Sequence, residues 1–220
     1  MGGAGQRWAI ERCMEFFGLT AGDYAAIQGA AGLALLQGLW ERNPDEFYNH
    51  PLQLLRQEWY HACPSNHYYA ASGFWAALSP GDILLDFGCG TGEVARLPWI
   101  ARQGEIDLYE PASETCRAYL RHKYRDNPLV HFGVAYELGV YDAVICTDVF
   151  EHVSDPLGVM QLLYDWLKPG GHALLKFSTA WPHPGHLQAS IAQVPAWKGW
   201  VNDHMILQAI EGCVWATKPR

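Results

Sequence analysis

The segment ILLDFGCGTG, residues 83–92, constrains the fold of this chain more than any other stretch. An apolar run, then Asp86, then Gly88, Gly90 and Gly92 read as a buried strand that leaves into a turn made mostly of backbone. Glycine has no Cβ and tolerates positive φ, so peptide amides in such a turn can approach a ligand closely. Glu110 ends the next predicted strand, 18 residues beyond Gly92. An acidic side chain in that place can accept both hydroxyls of a ribose, which points to a nucleoside-bearing ligand.

The rest of the chain supports a strand-first, alternating architecture. EIDLYEP, VHFGVA, YDAVICTDVF and HALLKFS read as strands, with helices at EVARLPWIARQ, ASETCRAYLRHKY and PLGVMQLLYDWL and a turn at KPGG. Pro98 is expected to end or kink the first of these helices. Strands and helices alternating at this length predict an α/β fold, a doubly wound parallel sheet covered on both faces. Before the glycine strand, RWAIERCMEFF, the Ala, Gly and Leu-rich run from Ala25, and PLQLLRQEWYHAC read as helices. The run from Ala25 is expected to be buried on most sides. Residues 1–69 are therefore expected to form a helical cap or flank of the same domain, and residues 70–220 the nucleoside-binding core. The tail TAWPHPGHLQASIAQVPAWKGW has no clean period and reads as a long loop with one helical turn near Leu187–Ala192. NDHMILQAIE then reads as a helix and CVWATK as a closing strand. With one clear strand after the fifth, the sequence leaves a complete seven-stranded sheet open and allows a shortened C-terminal part.

Electrostatics narrows the ligand. A dinucleotide fingerprint spaces its glycines as GxGxxG to meet a pyrophosphate, whereas this turn is GCGTG preceded by Asp86. A carboxylate aimed at the turn repels pyrophosphate and tolerates a sulfonium carrying an ammonium group. The formal charge is -8, from 15 Lys plus Arg against 23 Asp plus Glu, so the basic face of a nucleic-acid binder is not expected. Six cysteines without a CxxC fit reduced, buried thiols. The apolar run from Ala25 is too short and too interrupted to cross a membrane, and no basic-then-apolar leader precedes it. The expectation is a cytoplasmic monomer or homodimer with a small-molecule substrate, no nucleic acid and no membrane.

Over residues from about 70 to 178 the chain resembles the class I S-adenosylmethionine-dependent methyltransferases. ILLDFGCGTG resembles the first motif of that family, IDLYEP its second-strand acidic motif, YDAVICTDVFEHVSDP its fourth-strand motif, and WLKPGGHALL its turn into the fifth strand. The resemblance implies a Rossmann-like sheet, S-adenosylmethionine as cofactor, and methyl transfer to a small acceptor by in-line displacement. It places Asp86, Gly88, Cys89 and Gly90 near the methionine part of the cofactor and Glu110 on the ribose. Pro111 would pack beside the adenine, and Asp148 and Val149 would line the pocket floor. Val134 stands where many relatives carry an acidic residue for the adenine amino group.

Several side chains are candidates for the chemistry. His152 follows DVFE at the end of the fourth strand and is assigned as base or acceptor contact, its structural alternative being a bond to Asp155 or to backbone. Asp148, Glu151 and His152 resemble positions that hold a divalent ion in some quinone-pathway O-methyltransferases. Glu151 and His152 are adjacent, however, and neighbours converge on one ion only where the backbone turns, so no metal is expected. His183 and His186 look like half a metal site with no further ligand nearby, and Trp181 and His183 are placed to select the acceptor. HACPSNHYYAASGF is expected to cross the cofactor pocket with Tyr60, His61, Asn66, His67, Tyr68 and Tyr69, and Tyr68 and Tyr69 are assigned to the cofactor. The same motifs also fit a lyase that cyclises the aminobutyl part of S-adenosylmethionine and releases methylthioadenosine, or a non-catalytic nucleoside-binding scaffold.

Overall fold

The computed structural model of the chain describes residues 4–61, 72–96, 104–133, 137–180, 185–210 and 212–220. Asn66, His67, Tyr68, Tyr69, Pro98, Val134, Trp181 and His183, named above, lie outside the described residues.

Among the described residues the strands are β1 Ile83–Phe87, β2 Glu105–Tyr109, β3 Val130–Phe132, β4 Tyr141–Thr147, β5 Leu167–Lys176, β6 Ile206–Ile210 and β7 Cys213–Thr217. They form one seven-stranded sheet in the order β3-β2-β1-β4-β5-β7-β6. β1 to β5 run parallel, and β7 lies antiparallel between β5 and β6. Along β4, Ala143 and Ile145 enter one core while Val144 and Cys146 enter the other, the period of two that a pleated strand imposes. Both faces are buried, which is why β1 and β4 read as continuous apolar runs rather than as alternating ones.

Helices cover both faces: α1 Ala4–Phe17, α2 Ala21–Ala26, α3 Gly29–Arg42, α4 Pro44–Phe47, α5 Pro51–His61, α6 Ser72–Ala77, α7 Glu114–Lys123, α8 Pro156–Trp166, α9 Gln188–Ile191 and α10 Val194–His204. Ile10, Cys13, Leu54 and Leu55 of α1 and α5 share one buried cluster with Leu84, Ile106 and Ile145 of the sheet. The cap and the strands thus have a common apolar core on that face. Strand order reverses between β1 and β4, and the crevice at their carboxyl ends is where an open α/β sheet receives a ligand.

Five expectations are corrected. The C-terminal part is not shortened: NDHMILQAIE is split between the end of α10 and the strand β6, which pairs with β7 through Ile206↔Thr217 to Ile210↔Cys213. Met205 switches the backbone to extended, and Gly212 takes φ +74° in the connection. The second half of the supposed loop is α10, whose proline falls in the first turn, where the missing amide is not needed. The Ala, Gly and Leu-rich run is not buried on most sides: in α3 only Gly32 and Leu36 are buried, and Leu33 is 43% exposed. The described part of EVARLPWIARQ, Glu93–Arg96, is a 3₁₀ turn. KPGG is an excursion inside β5: Leu167 pairs with Tyr141 and His172 already with Ala143.

Candidate functional site

The register Phe87↔Tyr109 sets the glycine turn beside the end of β2. Gly88 and Cys89 donate their amides to Tyr109 O at 2.7 and 3.1 Å. Gly88 has φ +68°, and a Cβ there would run into the Val149 side chain, so the first glycine is required twice over. Glu110 is folded back onto this turn, its Oε2 accepting from Gly90 N at 3.0 Å and its Oε1 from Ala112 N at 2.8 Å. Each carboxylate oxygen keeps a lone pair for a ligand hydroxyl. Burial raises the Glu110 carboxyl above its usual range, opposed by the Ala112 and Gly90 amides.

Asp86 is 3% exposed, and burial, with Glu110 nearby, pushes its carboxyl up to about 8. A cationic ligand would lower the penalty for ionising it, the environment expected for an ammonium or sulfonium group. Cys89 is buried at the same turn, and burial drives its thiol well above the ordinary value. Cys116 donates to Gly90 O at 3.0 Å and holds the turn from below.

At the end of β4, Asp148 takes φ +57°, rare for a side chain with a Cβ, and pairs with Lys176 of β5 at 2.7 Å. Burial would lower the Lys176 ammonium, but Asp148 outweighs it and the net shift is upward. Val149 packs on Gly88, and the exposed Pro111 lines the same cavity. That cavity holds about 420 Å³, within the range of small-molecule sites, and runs from Gly88, Gly90 and Glu110 to Leu33 and Leu36 of α3. Gln53, Gln57, Tyr60 and His61 of α5 form another wall.

His152 lies in the 3₁₀ turn Phe150–His152 and lines the cavity. Its Nδ1 is 2.8 Å from Gly185 O and 3.0 Å from Tyr48 Oη. A carbonyl can only accept, so Nδ1 carries a proton, and in the neutral ring Nε2 is the basic nitrogen. Of the structural alternatives considered, it is a backbone bond that holds the ring, while Asp155 caps α8 by accepting from Gly158 N at 2.8 Å.

His186 meets His152 edge to face, with ring centroids 4.8 Å apart, and its Nδ1 donates to Ala180 O at 2.7 Å. Its Nε2 is 3.9 Å from Glu151 Oε1. Glu151 is fully buried, and burial, opposed by the Glu151 and Ser178 amides, pushes its carboxyl up to about 8. One ligand atom each from Glu151, His152 and His186 falls within 4.8 Å of the others, and among the described residues this is the set that could hold a metal ion. The objection from adjacency is answered by the 3₁₀ turn, which supplies the bent backbone. Asp148, the third member of the resembling set, is occupied by Lys176 instead.

The cavity lining brings together Gly88, Cys89, Gly90, Glu110, Pro111, Asp148, Val149 and His152, whereas Asp86 is buried in β1 and is not part of that lining; Tyr68 and Tyr69 lie outside the described residues. Sequence reasoning passed over Tyr48, Gln53, Gln57 and Lys176, and it set His186 aside. The two glutamines are four apart on a polar helix face shared with Arg56, Tyr60 and His61, a pattern that reads as solvent-facing from sequence. Tyr48, Lys176 and His186 have no local signal.

The sequence profile of the methyltransferase-domain family matches residues 52–214. The chain belongs to this family, the class I S-adenosylmethionine-dependent methyltransferases, and S-adenosylmethionine is its cofactor. Among curated proteins it is similar to the ubiquinone biosynthesis O-methyltransferase of Xanthomonas campestris, 33% identical over 104 residues, 44% of this chain and 43% of that protein. The enzyme of the same name from Acinetobacter baylyi is 33% identical over 109 residues, 45% of this chain and 44% of that protein. The chain thus spans less than half the length of the curated relatives it matches. Among solved structures, Haemonchus contortus phosphoethanolamine N-methyltransferase 2, in complex with phosphomonomethylethanolamine and S-adenosylhomocysteine, superimposes with a TM-score of 0.55 at 15% identity. That match covers 84% of this chain and 60% of the other, and it shows the shared fold. No described helix is long and apolar enough to cross a membrane.

The residues present fit the cofactor. Gly90 puts no Cβ into the cavity, Glu110 offers two carboxylate oxygens beside it, and the buried Asp86 would give up its proton more readily beside a cation.

Proposed function

We propose that this protein transfers a methyl group to a hydroxyl oxygen of a small, largely apolar acceptor by in-line displacement. The observation that carries this reading is His152, anchored through Nδ1 on Gly185 O and facing the cavity that also contains Gly90 and Glu110. Bound S-adenosylmethionine supplies an electrophilic methyl group that needs no further activation. The protein must then align the acceptor, exclude water and remove a proton from a hydroxyl of high pKa. Nε2 of His152 takes that proton. Tyr48 Oη and Gly185 O hold the ring while it does so, and Gly185 O stabilises the imidazolium by accepting from Nδ1. Leu33, Leu36 and Phe47 give the acceptor an apolar contact surface. The similarity to O-methyltransferases favours oxygen over nitrogen as the acceptor atom.

The test is mass spectrometry of purified protein with S-adenosylmethionine, first alone and then with a panel of phenols and catechols. S-adenosylhomocysteine plus a methylated product, formed only when an acceptor is present, is the expected result. Methylthioadenosine with a cyclic amino acid and no acceptor would establish the lyase instead, and tight cofactor binding with no product would establish the scaffold.

The cluster of Glu151, His152 and His186 favours a second reading, in which a divalent cation rather than a base acidifies the hydroxyl. Each Nδ1 bonds a backbone carbonyl, the outer contact that orients a metal-binding imidazole through Nε2. Zinc or manganese would then raise the melting temperature of the wild type and leave Glu151→Gln unchanged. Full activity after exhaustive chelation would return the role to His152 as base.

A further inference from the structure

Helix α5 turns two carboxamides toward the cofactor cavity that neither the glycine turn nor Glu110 explains. Gln53 and Gln57 lie four residues apart on α5, and both line the cavity. Gln53 is 9% exposed, and Oε1 of each glutamine is buried without a hydrogen-bond partner. Native proteins seldom leave a buried amide oxygen unpaired, because it forfeits its bond to water and gains nothing in exchange. Two such oxygens on one side of one helix indicate a donor that comes from outside the chain.

Their position says which donor. Gln57 stands against the glycine turn, where a Cβ built on Gly90 would lie 3.4 Å from its Oε1. The Gly90 amide is already committed to Glu110, so the turn itself offers no donor there. Glu110 lines the same cavity, and its charge raises the nearby Asp86 carboxyl, so a cation is favoured over an anion at this wall. Arg56, the cation on the same helix, is tied to Ile27 O at 2.5 Å and stacked over Trp59. A ligand group with several N–H donors and a positive charge meets all of these conditions.

Resting on the methyltransferase reading above, we propose that Gln53 and Gln57 accept hydrogen bonds from the α-ammonium group of S-adenosylmethionine, so that α5 holds the amino-acid end of the cofactor. This role also bears on reaction choice. An amine that donates to two buried acceptors is kept protonated and extended, and it has no lone pair with which to attack its own side chain. The glutamines thereby favour transfer to an acceptor over ring closure.

The experiment is calorimetric titration of the full chain and of Gln53→Leu and Gln57→Leu with three ligands. These are S-adenosylhomocysteine, its analogue lacking the α-amino group, and 5′-methylthioadenosine. The wild type is expected to bind S-adenosylhomocysteine roughly tenfold or more tightly than the des-amino analogue. Each leucine variant should lose roughly tenfold for S-adenosylhomocysteine and keep wild-type affinity for the other two ligands, whose binding also reports an intact fold. Unchanged affinity for S-adenosylhomocysteine in both variants, or a parallel loss for all three ligands, would overturn the assignment. A wild type that binds none of the three would remove the cofactor reading itself together with this inference, a result distinct from retained binding that the substitutions do not alter.

Discussion

Lys123 of α7 and Glu58 of α5 form an ion pair at 2.5 Å with both side chains fully buried. The same Lys123 ammonium donates to Thr91 O, in the glycine turn, at 2.7 Å, and Tyr119 Oη donates to Glu58 Oε1 at 2.7 Å. One cation therefore ties the cap helix that carries Gln53 and Gln57 to the loop those residues face.

Replacing Lys123 with Met leaves a buried carboxylate without its partner, and the protein should lose about 3 to 5 kcal/mol of stability. The double variant Glu58→Leu, Lys123→Met should lose clearly less, because no charge then remains to be buried. Urea unfolding of the three proteins checks this. A double variant less stable than Lys123→Met would show that the pair contributes through its geometry and not through charge compensation.

Glu110→Ala should weaken S-adenosylhomocysteine binding by about 1.5 to 3 kcal/mol, the usual loss for charge-assisted hydrogen bonds. The variant also strips the Gly90 and Ala112 amides of their acceptor, so part of the loss comes from a looser turn. Titration calorimetry of both proteins measures it, and equal affinities would take Glu110 off the ribose.

Asp86 makes stability depend on pH. Its folded pKa, about 8, lies above its unfolded value, so between those limits the native state holds a proton that the unfolded chain has released. Its contribution is fully present below the unfolded pKa and fades as pH rises toward 8, at a limiting slope of about 1.4 kcal/mol per pH unit. Glu151, also near 8, acts in the same direction. Denaturant unfolding of cofactor-free protein from pH 5 to 9 should show stability falling with pH, more gently in Asp86→Asn. Superimposable slopes would mean that Asp86 is ionised in the folded protein.

His152→Gln preserves the shape of the side chain but cannot accept a proton. If His152 is the base, turnover should fall by about two to four orders of magnitude, with the KM for the cofactor little changed. The acid limb of the wild-type pH–rate profile should flatten in the variant. An unaltered rate and profile would confine His152 to its contacts with Tyr48 and Gly185.

Much of the cofactor half was legible because its requirements are local. Gly88 must have no Cβ, since Val149 occupies that space, and Glu110 must end β2, since only there does it reach the turn that β1 delivers. Short-range chemistry of this kind leaves its mark on neighbouring residues. The His152 side of the cavity carried no comparable mark. Tyr48 and Gly185 meet at His152 across 104 and 33 residues of chain, and no pattern near any of them announces the others. The helix α10 does carry a short stripe of its own, Val194, Trp197 and Val201, but the prolines and tryptophans around it masked that spacing.

From the sequence alone follow the alternation of strands and helices, the glycine turn, the acidic strand end and the family they define. All of these rest on backbone preferences and on contacts between residues close along the chain. The tertiary structure alone decided that Asp148 belongs to Lys176, that Glu151, His152 and His186 converge, that α5 faces the glycine turn with Gln53 and Gln57, and that β6 completes the sheet. Each of these depends on which distant surfaces pack together, a choice made by burial of the whole core.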